Sequence, residues 1–135
     1  MIVSLRKWRV DRGAASTQLV LVIPVLLLLA MLIVQFALVW HARHIAQYAA
    51  QRALATARAQ HGSAADGRAQ AARSLVALGS RTLTTPSVAV ERTTTQTTVR
   101  VRGTVMAVVP GLHLHASGTA AGPTERLTTP DGGHR

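Results

Sequence analysis

The chain has 135 residues, a net charge of +10 from 15 Lys+Arg against 5 Asp+Glu, and no cysteine. That length leaves room for one anchor and one small domain. The missing thiols exclude a disulfide framework, a thiolate zinc site and a cysteine nucleophile, and so few, scattered acids offer no paired-carboxylate site.

All but one of the basic residues are arginine, and no acid occurs between Arg12 and Asp66. Such a balance favours anionic surroundings, such as lipid headgroups or envelope polymers. With two Trp, one Tyr and one Phe there is little aromatic surface on which bases could stack, so nucleic acid is not an expected partner.

Residues 1–13 form a basic leader carrying Arg6, Lys7, Arg9 and Arg12. The run 19–39, LVLVIPVLLLLAMLIVQFALV, has no charge. At ~1.5 Å per residue it reaches about 30 Å, the thickness of a bilayer's hydrocarbon core. Its Leu, Val, Ile and Phe side chains together favour insertion by roughly 5–10 kcal/mol. Pro24 and Gln35 take back a few of these without reversing the sign. Signal peptides have shorter apolar regions, ~7–15 residues, followed by a small-residue cleavage site. Here the run is longer and ends in Val39-Trp40-His41-Ala42, with Trp40 suited to headgroup depth. A retained transmembrane helix over 14–40 is therefore expected. The basic leader places the N-terminus in the cytoplasm and the C-terminal bulk outside it, a single-pass arrangement.

Residues 41–60 contain no Gly or Pro and continue the helix. Alanines at 42, 46, 49, 53 and 57 recur at steps of four and three on one face. Such a stripe either admits another helix at close range or supplies helix propensity alone. Gly62 and Ser63 interrupt, and 64–78 reads as a shorter helix ending at Gly79 as C-cap. The extramembrane helical region is thus 41–81. From Thr82 the composition turns to Thr and Val. Strands are predicted over 86–92, 95–103, 104–110 and 112–118, making a small β domain over 82–118. Val99 and Val101 alternate with Arg100 and Arg102, as Leu112 and Leu114 do with His113 and His115, giving one buried and one wet face. Residues 119–135, rich in Gly, Pro and Thr, read as a flexible tail. The fold class is α+β: a long N-terminal helix, a short second helix and a small antiparallel sheet of three to four strands. Large apolar residues outside the anchor are sparse, so the core is expected to be thin and completed by a partner.

The junction Arg12-Gly13-Ala14-Ala15-Ser16-Thr17-Gln18-Leu19, leading into Val22-Ile23-Pro24-Val25-Leu26-Leu27, resembles the N-terminus of TadE-like proteins. These are the pseudopilin-like pilus-assembly family of tight-adherence secretion systems. Its members show a basic leader, then R-G-A-A-x-x-E-F/L, an apolar stretch and a Pro followed by leucines. The motif resemblance covers about 12–57. It implies cleavage between Gly13 and Ala14 by a prepilin peptidase, a helix-bundle role for Gln18 and Pro24, and partners among membrane lipid and other pilus-assembly or pilin-like subunits. One position departs from the pattern: Gln18 stands where a glutamate is usual. Glutamine supplies a dipole where glutamate would offset a neighbour's amine, and it enters lipid at lower cost. That points to a minor or membrane-retained component.

No catalytic chemistry is expected. The pairs His41/His44 and His113/His115 have ligand-like spacing but lack a nearby carboxylate or thiolate. No nucleophile elbow, Walker loop or dinucleotide loop occurs. No metal or cofactor is called for. The competing reading is a signal-anchored surface protein that binds anionic envelope polymer or nucleic acid through its basic β region. Arg100 and Arg102 are either contacts for an acidic partner surface or anionic envelope polymer, or simply a solvated strand face.

Overall fold

The computed structural model describes residues 11–126, with side chains from Gln18 onward. The leader over 1–10, with Arg6, Lys7 and Arg9, and the last part of the expected tail, 127–135, lie outside the described residues.

Helix α1 runs unbroken from Asp11 to Arg58, with Pro24 inside it. Its last turn is closed by other elements. Arg92 donates from Nε to the Ala57 carbonyl (2.8 Å) and from Nη2 to that of Ala59 (3.4 Å), and the Glu125 amide donates to the Arg58 carbonyl (2.9 Å). These bonds satisfy carbonyls that a helix end leaves without partners, and the guanidinium complements the negative end of the helix dipole.

Helix α2 spans Ala64–Gly79 and begins with a capping box. Ser63 Oγ accepts from the Asp66 amide (3.1 Å), and Asp66 Oδ2 accepts from the Ser63 amide (3.0 Å). Two of the helix's free donors are thereby paired reciprocally. The expected C-cap is corrected: Gly79 is the last helical residue, buried against Ile45, and Ser80 caps in a right-handed conformation.

Strands β1 (Leu83–Arg92), β2 (Gln96–Val105) and β3 (His115–Pro123) form one antiparallel meander in the order β1-β2-β3. β1 begins three residues before the predicted 86–92, and a register shift between Thr84 and Ser87 accommodates Pro86. Edge strands tolerate such an interruption.

Two predicted strands are corrected. Residues 106–110 of the segment 104–110 are not a strand, because the amides of Val108 and Val109 bond to Gln35 of α1 rather than to a neighbouring strand. The strand predicted over 112–118 forms instead over His115–Pro123, so residues 119–123, expected to be flexible, belong to the sheet.

The C-terminal half of α1 and all of α2 cover one face of the sheet. Thr97, Val99, Val101 and Val105 of β2 point into this layer and are buried, whereas Arg100 and Arg102 face outward. The alanine stripe is the centre of the core: Ala42, Ala46, Ala49, Ala53 and Ala57 are all fully buried. It admits α2 and the sheet of the same chain at close range. A Cβ on Gly67 would lie 2.8 Å from that of Ala57, so α2 crosses α1 with small residues on both sides. The expectation of a thin core is met in volume, since Ile45, Leu75, Leu83 and a few valines are its largest aliphatic members. Val76 and Leu78 are exposed.

Candidate functional site

Between Leu19 and Val34 nearly all the bulky side chains of α1 are exposed, Met31 being half-buried. Thirteen Leu, Val and Ile residues there are exposed, among them Val20 at 70% and Leu27 at 61%. Moving these side chains out of water favours apolar surroundings by roughly the 5–10 kcal/mol given above. Hydrophobicity on every side of a helix, with no polar face, marks a segment meant for lipid or for a bundle of other helices. Among the described residues this is one helix long and apolar enough to cross a membrane.

Gln18 and Pro24 both lie on this exposed rod. They are ~9 Å apart along its axis and about 120° apart around it, so they do not form one patch. Pro24 leaves the Val20 carbonyl without its intrahelical donor. Gly13 and Ala14 have helical backbone. A peptidase that binds its substrate extended would have to unwind this turn.

The rod meets the head at Gln35. This residue is 1% exposed and bonds entirely to the β2–β3 loop, residues 106–114. Its Oε1 accepts from the amides of Val108 (2.7 Å) and Val109 (3.4 Å), while Nε2 donates to the Met106 carbonyl (3.3 Å). Contacts with the head therefore begin inside the segment 14–40. Leu38 and Val39 are half-buried against the core, and Phe36 and Trp40 remain outside it. Trp40 packs edge-on against His44, with centroids 5.2 Å apart.

Further along α1, Gln47 acts as a substitute strand. Its Nε2 donates to the Thr119 carbonyl (3.0 Å) and its Oε1 accepts from the Thr119 amide (3.1 Å). The free edge of β3 is occupied at that point, which blunts pairing with another chain.

Arg100 and Arg102 are exposed on the outer face of β2. Arg100 lies opposite Ala89 and Thr119, and Arg102 opposite Ser87 and Ser117. Neither has an acid within ion-pair distance among the described residues, where Arg58 and Glu125 form the one such pair, at 3.8 Å. The sheet separates these arginines from α1, so they form no common site with Gln18 and Pro24. No cluster of three or more metal-ligating side chains occurs among the described residues.

Four structural residues escaped sequence reasoning. Gln35 was legible as the only polar side chain in an apolar run, but only as a cost. Gln47 and Arg92 gave no local signal, and Gly118, at the end of the strand predicted over 112–118, gave no sign of the helix it lies against.

The resemblance drawn on residues 12–57 is borne out: the family described as TadE-like protein matches this chain over residues 13–54. That stretch is most of α1, including the exposed rod, Gln35 and most of the alanine stripe. α2 and the sheet lie beyond it. No curated protein and no solved structure matches the chain.

Proposed function

We propose that the TadE-like segment makes this chain a membrane-anchored, pseudopilin-like component that supports assembly of a surface pilus or of its secretion machinery, without catalysing a reaction. One observation carries the reading: a single helix is apolar and largely uncovered over 19–34, then becomes the buried spine of a folded head over 35–58. Such a rod is stable in lipid or among like helices and unfavourable in water.

In this proposal the helix crosses the cytoplasmic membrane once, with the leader inside and the head outside. A prepilin peptidase trims the leader between Gly13 and Ala14, which removes the basic residues that hold the N-terminus in the cytoplasm. The freed rod then packs against rods of other pilin-like subunits. Gln18 contributes a hydrogen bond there, and Pro24 a bend and a free carbonyl. Arg100 and Arg102 present positive charge to an acidic partner surface.

Gln18→Ala tests the assembly role. Insertion into membranes should be unchanged, because alanine is tolerated in an apolar helix. Recovery of partner subunits with an affinity-tagged chain should fall about tenfold, in keeping with an interhelical hydrogen bond of ~1–2 kcal/mol. The wild-type association should also survive added salt, whereas contact through Arg100 and Arg102 would weaken as charge is screened. Undiminished partner recovery with Gln18→Ala would remove Gln18 from the interface.

A further inference from the structure

We infer that the β2–β3 loop, residues 106–114, is a second membrane contact, seated on the lipid surface beside α1. This rests on the proposed membrane anchoring of α1. Three observations place the loop at that depth.

The first is position. The loop is hydrogen-bonded to Gln35, four residues before the end of the uncharged run at Val39. Four residues of helix are ~6 Å, so the loop lies within the length of chain composed for the bilayer.

The second is composition. The loop reads Met106-Ala107-Val108-Val109-Pro110-Gly111-Leu112-His113-Leu114, with no Asp, Glu, Lys or Arg. Met106 is 50% exposed, and Val108, Val109, Leu112 and Leu114 are each partly uncovered. An apolar connection on the surface of so basic a chain calls for an apolar neighbour. Trp40, 67% exposed on the adjoining turn of α1, is a residue type that prefers the membrane–water boundary.

The third is the backbone. Irregular chain at membrane depth is tolerated only where its polar groups are satisfied within the protein. Gln35 does this for two amides and one carbonyl of the loop, and the Leu114 carbonyl accepts from the Val105 amide at 2.8 Å. The single polar side chain in the apolar run is thus committed to the segment that needs it. The head is held against the bilayer at two points, which restricts its tilt about the α1 axis.

Because the chain has no cysteine, single substitutions give unique labels. Full-length protein carrying Met106→Cys, Pro110→Cys, Leu27→Cys or Thr94→Cys would be labelled with an environment-sensitive fluorophore. It would then be placed in phosphatidylcholine vesicles containing one quarter phosphatidylglycerol. Nitroxide lipids would quench from a shallow or a deep position. The labels at 106 and 110 should emit at shorter wavelength than the label at 94, and lose about half their intensity to the shallow nitroxide, as interfacial residues do. The label at 27 should respond most to the deep one, and the label at 94, in the distal β1–β2 turn, to neither. Water-like emission at 106 and 110 with quenching at 27 would overturn the loop contact and leave the anchor standing. Blue-shifted emission at 106 without nitroxide quenching would mean that protein covers the loop, and would also overturn it. No quenching at 27 would remove the anchor and this inference together.

Discussion

Gly118→Ala should lower the thermal midpoint of the head by about 10–20 °C, equivalent to roughly 2–3 kcal/mol. Strand β3 crosses α1 so closely that a Cβ at this position would collide with the backbone of Ala46 and Gln47. Those atoms belong to a helix held on its other sides by α2 and β2, so they cannot yield as the end of a flexible side chain would. The strand must lift instead, which also breaks the Gln47–Thr119 bonds. Gly122→Ala, in the same strand, is the control. There the added carbon would meet only the far ends of Arg58 (3.4 Å) and Leu54 (3.5 Å). Its effect should stay within about 1 kcal/mol, the range of strand propensity. Circular dichroism melts in one detergent, taken for both variants, would separate steric collision from a general cost of replacing glycine.

Gln35→Leu should destabilise the head by about 2–4 kcal/mol while improving membrane insertion of the helix. Leucine is larger by about one methylene and branched, so up to about 1 kcal/mol of the loss reflects packing. The amides of Val108 and Val109 and the Met106 carbonyl would lose their partner in a place with limited access to water. Each stranded group costs about 1–3 kcal/mol, limited by the loop's freedom to move away. Insertion shifts the other way, since leucine contributes about −0.3 to −0.6 kcal/mol at a helix centre. A residue present only as a tolerated defect of the run would give a gain in insertion with no loss in the head. The checks are a thermal melt and hydrogen exchange at residues 108 and 109, where protection should collapse. An unchanged melt would show that the loop holds its place without Gln35.

The parts of the fold that were legible follow from local chemistry. The absence of Gly and Pro over 41–60 announced that the helix continues past the membrane edge. Gly62-Ser63 announced the break, and the Val/Arg alternation at 99–102 announced a half-buried strand. The failures share one physical cause. Met-Ala-Val-Val after Val105 has strand propensity, but Gln35 takes the amides of Val108 and Val109, and that partner is more than seventy residues away. Thr-Ala-Ala-Gly-Pro, residues 119–123, has the composition of a loop and nevertheless completes β3, because the strand lies against α1, so closely at Gly118 that only glycine fits. The alanine stripe was visible, but its occupant was not. Spacing identifies a face that accepts close approach and says nothing about whether α2 or another chain approaches it.

The site divides along the same line. A lipid-compatible rod is a property of consecutive residues and could be read directly. Its junction with the head depends on which side chain meets which loop, and no local pattern encodes that. Gln18, Pro24 and the Gly13-Ala14 bond act, in the proposal, on molecules other than this one, so their roles will be decided by variants and partners.

Mass spectrometry of the native chain's first residue, on material recovered from membranes, bears most directly on whether the rod stays with the working molecule. A chain beginning at Ala14, with residues 18–34 intact, is expected. A mature form beginning beyond Ala42 would mean that the exposed helix is discarded as an export signal, and would contradict both the anchor and the assembly role.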